Sequence, residues 1–287
     1  MVRPVDVGEL REALSRDGPI LIQGSGSKAD FLVPYPNDDF EVLDMTSIAG
    51  IVELEPDDQV VAVRAGTQLS ELQAALGERG QCLPLPDPAE FGRSVAGYPG
   101  TVGGLVAMRM PHALEAQCGG PRDWVLGLTV ALADGTLAKC GGKAVKNVAG
   151  YDAHKLMTGA RGTLGVIVEA VFRTTPIRSL PSPRLSIRRG DVEGPYWVQR
   201  TLRSDFDAAV GGLGEAVFAA DPESSTLWAV VSPEQEPARY PGDWAIRSGC
   251  GVRNLALGDK LMSRLVEHAK DIFDAARKLN PSAMGAE

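Results

Sequence analysis

Three glycine-rich loops constrain this chain more than anything else in it. They read QGSGSK at residues 23–28, PGTVGG at 99–104 and GARGTLG at 159–165. Each stands at the edge of an expected strand or helix. Glycine lets backbone turn tightly and come close to another surface. Successive N–H groups in such a turn make a nest for anions, and a pyrophosphate is a natural guest. The first loop lacks the GK[ST] ending of a P-loop, and it is not GxGxxG, because Lys28 and Ala29 follow. Taken alone it reads as a tight turn. Three such loops in order fit one extended ligand, and a dinucleotide with a pyrophosphate at its middle has that size.

The periodicity around the loops predicts an α+β arrangement. Residues 7–16 read as an amphipathic helix with Val7, Leu10, Ala13 and Leu14 on one face. Asp6 is placed to cap it, and Glu9 holds the capping-box position. Strands are expected over 19–23, 41–44, 50–54 and 60–65, and a second helix over 68–80. Residues 125–132 and 136–140 read as a hairpin whose turn is Asp134-Gly135. An apolar strand is expected over 165–174. The stretch TTPIRSLPSPR after it reads as a hinge or domain boundary. The best helical pattern runs over 259–279, stopped by Asn280-Pro281.

Composition narrows the function classes. The chain has 287 residues, 44% of them hydrophobic, enough for one or two packed domains. Its net charge of -8 argues against a nucleic-acid partner, whose phosphates it would repel. Cys82, Cys118, Cys140 and Cys250 form no CxxC pair, and His112, His154 and His268 form no HxH or HExxH, so no metal or iron–sulfur site is expected. The cysteines read as free thiols in a reducing compartment. No GxSxG elbow supports hydrolase chemistry. His154 reads as a surface or satisfied helix residue. Tyr151 and Asp152 read either as a helix start or as residues ordering a loop around a cofactor. The N-terminus lacks the apolar run of a signal peptide, and nothing approaches the ~20 apolar residues of a membrane span. The chain reads as cytoplasmic, with any membrane attachment made through partners.

The succession QGSGSK, GTVGGLVA and KNVAGYD…KL…GARGTLGVIVEA resembles the FAD-binding domain of the vanillyl-alcohol oxidase/p-cresol methylhydroxylase (PCMH-type) family, and within it the glycolate oxidase FAD-binding subunits. The likeness runs from about Pro19 to Pro176. It implies an α+β fold: a two-subdomain PCMH-type FAD-binding domain over 1–176, then a short, reduced cap-like region and a C-terminal helix over 177–287. Gly24, Ser25, Gly26, Ser27 and Lys28 would wrap the FAD pyrophosphate through backbone N–H groups. Thr101, Gly103 and Gly104 would lie by the pyrophosphate and the isoalloxazine. Gly162, Gly165 and Ile167 would face the adenosine half, and Pro84 and Leu85 would flank the flavin. Lys146 and Asn147 would order their turn or contact the flavin side. Many relatives attach FAD through a His in the first loop; that loop here has neither His nor Cys, so non-covalent FAD is implied.

The family's tail pattern, K-x-x-L-D-P-x-x-x-F-N-P-G, has a counterpart in KDIFDAARKLNPSAMG, where Lys270, Asp274, Asn280 and Pro281 match while Ala275 and Ser282 depart. The resemblance further implies a partner iron–sulfur subunit, a second FAD subunit and a small 2-hydroxy-acid substrate. It identifies no catalytic base. A stand-alone small flavoenzyme and a redox-inactive FAD-domain scaffold are the other readings of the same residues.

Overall fold

A computed structural model describes residues 1–27, 40–85, 100–109, 112–143, 152–189, 197–230, 244–247 and 260–280. Helix α1 (Val7–Ser15) starts where the sequence places it. Asp6 accepts from the Glu9 N–H at 2.9 Å, while Glu9 reaches back to the Val5 N–H at 3.0 Å, one residue beyond a capping box. Leu10, Ala13 and Leu14 are buried against Ile20, Leu43, Ile48 and Val168. Strands β1 (Ile20–Gln23) and β2 (Glu41–Asp44) form a two-stranded parallel ladder, with Ile20 opposite Glu41 and Gln23 opposite Asp44.

The central layer is one antiparallel sheet. It takes β3 (Ile51–Glu55) and β4 (Val60–Arg64) from the first part of the chain. After α2 (Leu69–Gly77) and β5 (Gln81–Cys82) come three short helices, α3 (Val102–Met108), α4 (Glu115–Cys118) and α5 (Pro121–Trp124). Then follow β6 (Val125–Ala131), β7 (Leu137–Gly141), α6 (Ala153–Met157), β8 (Val166–Arg173) and β9 (Thr175–Pro176). The sheet order is β3-β4-β8-β6-β7, and β5 pairs with β9 beside it. The β6–β7 hairpin turns at Gly135, φ +80°, with the Thr136 N–H bonded to the Asp134 side chain at 2.8 Å. Leu69, Leu72 and Leu76 of α2 and Leu105 and Val106 of α3 bury their apolar faces against Val61, Val63, Val130 and Phe172 of the sheet. Each such side chain, fully buried, contributes about 1.5–3 kcal/mol.

A second antiparallel sheet follows. Its strands are β10 (Ile187–Arg188), β11 (Trp197–Arg200), β12 (Val217–Asp221), β13 (Thr226–Ala229) and β14 (Trp244–Arg247), in the order β10-β12-β13-β11-β14. Helix α7 (Phe206–Leu213) packs Phe206 and Ala209 onto Val217, Leu227 and Ala229.

Helix α8 (Lys260–Phe273) stops six residues short of the expected end at 279. Asp274 breaks it: its carboxylate accepts from the N–H groups of Lys278 at 2.9 Å and Leu279 at 2.7 Å. The chain then turns back, and Leu279, fully buried, bridges in parallel to Ile20 of β1. A continued helix could not deliver Leu279 there. No described helix is long and apolar enough to cross a membrane.

Candidate functional site

The first two glycine loops meet. Gly24 follows directly on β1, and a Cβ there would fall inside contact distance of the Thr101 hydroxyl and 3.1 Å from its methyl group. Only glycine lets the two backbones approach this closely. Thr101 is the N-cap of α3, its hydroxyl accepting from the Gly104 N–H at 3.3 Å. Its loop is fixed on the Ala65–Thr67 turn: Val102 N–H donates to Thr67 at 2.9 Å, Gly103 N–H to Ala65 at 2.8 Å, and Leu69 N–H to Gly100 at 2.8 Å. Gly66 is wedged against the carbonyls of Met45, Thr46 and Ile48, which locks that turn to the end of β2.

The two loops therefore differ in what they offer. The N–H groups of Val102, Gly103 and Gly104 are already engaged inside the protein. Among the described residues nothing accepts from the N–H groups of Gly24, Ser25 or Gly26. Gly24 and Gly26 are half-buried and Ser25 is exposed. Three successive N–H donors without a partner among the described residues, beside a hydrogen-bonded second loop, make a candidate cradle for an anion. An FAD pyrophosphate fits the donor set; no carboxylate from the described residues fills it.

The third loop reaches the second through α3. Gly159 N–H donates to Val106 and Arg161 N–H to Ala107, both at 2.9 Å, satisfying carbonyls at the C-terminal end of α3. Gly162 has φ +74°, and a Cβ there would lie 2.7 Å from the Asn280 amide nitrogen and 3.2 Å from Ile22. Gly165 is set by packing, because a Cβ would run into Val130 on β6. Ile167 is 6% exposed, lies opposite Val130 and belongs to the core of the central sheet. Pro84 and Leu85 are buried at the end of β5. Gln73 of α2 holds that segment by donating to the Leu83 carbonyl at 3.0 Å and accepting its N–H at 2.8 Å. Lys28, Lys146, Asn147 and Tyr151 lie outside the described residues. Asp152 pairs with Lys155 at 3.2 Å on the surface.

Two histidines are buried and differ in their partners. His112 is fully buried, its Nε2 against the Gly119 carbonyl at 3.2 Å and its Nδ1 accepting the Leu114 N–H at 3.2 Å. Burial, opposed by the Gly119 bond and assisted by Arg109, pushes its pKa down to about 3. His154 departs from the expected surface or satisfied residue. It is 4% exposed, its Nδ1 has no hydrogen-bond partner among the described residues, and burial lowers its pKa against the attraction of Asp152. The cause is α6 lying against the β6–β7 hairpin, with His154 close to Gly141. Cys82, Cys118 and Cys140 are free thiols, and burial, with Cys118 adding, pushes Cys82 up to about 11.

Two features join distant parts of the chain, the first with no signal in the sequence and the second with only its tail pattern. Glu115 is 8% exposed and accepts on one oxygen from Arg109 at 3.1 Å and Arg200 at 2.8 Å, tying the end of α3 to the second sheet. The tail beyond α8 holds the first and third loops together. Asn280 accepts the Ile22 N–H at 2.6 Å and donates to the Arg161 carbonyl at 2.7 Å. Lys270, 2% exposed, donates to Thr163 at 2.6 Å, Leu279 at 2.7 Å and Asp274 at 2.6 Å.

Residues 2–141 match the family described as "FAD binding domain". The glycolate oxidase subunit GlcE of Escherichia coli is 36% identical over 181 residues, which is 63% of this chain and 48% of that protein. The glycolate oxidase subunit GlcD of Bacillus subtilis is 32% identical over 55% of this chain and 32% of its own length. An FAD-linked oxidoreductase of Mycobacterium tuberculosis is 27% identical over 96% of this chain and 56% of its own length. The chain thus spans about half the length, or less, of these relatives. Among solved structures, an alkyldihydroxyacetonephosphate synthase superposes with a TM-score of 0.50 at 18% identity, covering 74% of this chain and 35% of that one. That likeness concerns the fold.

Proposed function

We propose that this chain, an FAD binding domain over residues 2–141, is the FAD-binding subunit of a glycolate-oxidase-like complex that oxidises a small 2-hydroxy acid. The observation that carries the reading is the cradle of unengaged N–H groups at Gly24, Ser25 and Gly26, closed on one side by Thr101. The glycolate oxidase subunits among its relatives direct the choice of substrate class and of a multi-subunit assembly. A second FAD subunit and an iron–sulfur subunit are the partners this reading takes. Residues 1–176 serve as the FAD-binding domain, and 177–287 as the reduced cap-like region with its C-terminal helix.

Bound there, the flavin supplies two-electron acceptance from the substrate carbon. The chain's residues supply position. Gly24, Ser25 and Gly26 present N–H dipoles to the pyrophosphate; Ser27 and Lys28 continue that edge. Thr101, Gly103 and Gly104 form the facing wall, the N–H groups of Gly103 and Gly104 spent on holding it in place. Pro84 and Leu85 flank the ring system with apolar surface. Gly162, Gly165 and Ile167 shape the adenosine side, and Lys146 and Asn147 belong to the turn on the flavin side. The first loop has no His or Cys, so the cofactor is held without a covalent bond. His112 and His154, buried and shifted toward the neutral form, are structural in this account.

The test is anaerobic mixing of the FAD-loaded protein, alone and with its copurifying partners, with glycolate and with D-lactate. Bleaching of the visible flavin bands supports the reading. Flavin that stays oxidised in the assembled complex with every 2-hydroxy acid tried points to the redox-inactive scaffold. Bleaching by the isolated chain alone, with no gain on adding partners, points to a stand-alone flavoenzyme.

A further inference from the structure

We infer that the C-terminal segment is a cofactor-positioning clasp, and that its docking and FAD binding are thermodynamically coupled through Asn280. The inference rests on the FAD reading of the first loop.

The contacts close a ring. Starting at β1, Gly24 touches Thr101, the N-cap of α3. The other end of α3 receives the third loop through Gly159 and Arg161. The Arg161 carbonyl accepts from the Asn280 amide at 2.7 Å, and the Asn280 carbonyl oxygen returns to the Ile22 N–H at 2.6 Å, two residues before Gly24. Asn280 is thus the one described side chain in this ring that bonds both β1 and the third loop. Its backbone N–H adds a third tie, to the Ile20 carbonyl at 2.8 Å.

The clasp is built to hold rather than to rest. Asn280 is 3% exposed and sits at φ +40°, where Asn is among the few non-glycine residues tolerated. Behind it, the Lys270 ammonium has three acceptors, one for each proton: the carbonyls of Thr163 and Leu279 and the Asp274 carboxylate. Two carbonyls of the third loop, those of Arg161 and Thr163, are therefore fixed from the tail side, while two of its N–H groups, those of Gly159 and Arg161, are fixed from α3. A ligand lying on the first loop requires β1 and α3 at one separation, and the tail sets that separation without touching the pyrophosphate cradle. Coupling of this kind is reciprocal: FAD must tighten the tail as much as the tail tightens FAD.

The experiment titrates apoprotein with FAD, following quenching of flavin fluorescence, for wild type, Asn280→Gly and Glu267→Gln. Glycine keeps the positive φ and removes both side-chain bonds. Glu267 is exposed and pairs only with Arg277 at 2.9 Å among the described residues, so its variant controls for a general disturbance of α8. Asn280→Gly is expected to weaken FAD about tenfold or more, as the loss of two net hydrogen bonds implies, with Glu267→Gln unchanged. A conservative Asn280→Asp, which keeps the acceptor for Ile22, is expected to fall between them. If Asn280→Gly does not fold, wild type decides alone: hydrogen exchange in peptides covering residues 18–24 and 270–280 must slow when FAD is added. Unchanged affinity in Asn280→Gly, or unchanged exchange in the wild-type tail, overturns the clasp while leaving the proposed function standing. Wild type that takes up no FAD overturns the proposed function and the clasp with it.

Discussion

Substituting Gly24→Ala tests the site at its tightest point. Gly24 has no positive φ, so the added methyl costs only through contact. It would overlap the Thr101 hydroxyl and lie 3.1 Å from Cγ2 and 3.3 Å from Cβ of the same residue. Thr101 can yield only by rotating, which breaks its 3.3 Å bond from Gly104 N–H, or by moving the start of α3 away from β1. Overpacking of this kind costs about 1–3 kcal/mol. If the loops must be apposed for FAD to bind, that cost appears in the dissociation constant as roughly 5- to 150-fold weaker binding. Flavin fluorescence quenching on apoprotein reads it directly. Thr101→Ala in the same chain removes Oγ1 and Cγ2, leaves only the 3.3 Å contact, and is expected to restore most of the affinity. An FAD affinity within about twofold of wild type in Gly24→Ala alone would refute the reasoning, because the two loops would then not share a ligand.

Other outcomes follow from the same structure. Lys270→Met leaves the Asp274 carboxylate, 0% exposed at its side chain, without its cation; breaking a buried pair costs about 3–5 kcal/mol. The apoprotein melting temperature should drop by roughly 10 °C, at about 2–4 °C per kcal/mol for a chain of this size, and a shift near zero would show that the pair adds nothing. For His112, the folded pKa of about 3 lies below the ordinary 6.5, so the unfolded chain binds the extra proton between those values. Stability is full above pH 6.5 and falls on acidification by about 1.4 kcal/mol per pH unit until the folded pKa is reached. Urea midpoints across that range should show a flatter acid limb in His112→Gln than in wild type; parallel limbs would contradict it.

How legible the molecule was in its sequence varies with the range of the forces involved. Helix α1, the β6–β7 hairpin and β8 follow from local pattern, because capping by Asp6, the positive φ at Gly135 and an apolar run each act within a few residues. The glycine loops announced a close approach of backbone, and the contact of Gly24 with Thr101 is such an approach. What they approach was not local information: Gly165 meets Val130 of β6, and Gly162 meets Asn280, 118 positions along the numbering (280 − 162). The end of α8 was misjudged because helical spacing continues to Leu279, while a tertiary contact with Ile20 and the two bonds to Asp274 override it. The tail matches a family pattern at Lys270, Asp274 and Asn280, but what those residues bond to, the third loop and β1, is set by tertiary contacts. The pairing of Glu115 with Arg200, 85 positions on, left no periodic trace.

The most direct measurement is the visible spectrum of the purified protein after incubation with FAD and removal of excess, recorded before and after acid precipitation. The account predicts twin flavin bands on the protein that pass wholly into the supernatant. Colour retained in the pellet would contradict the non-covalent first loop, and a protein that emerges colourless would contradict the cofactor site itself.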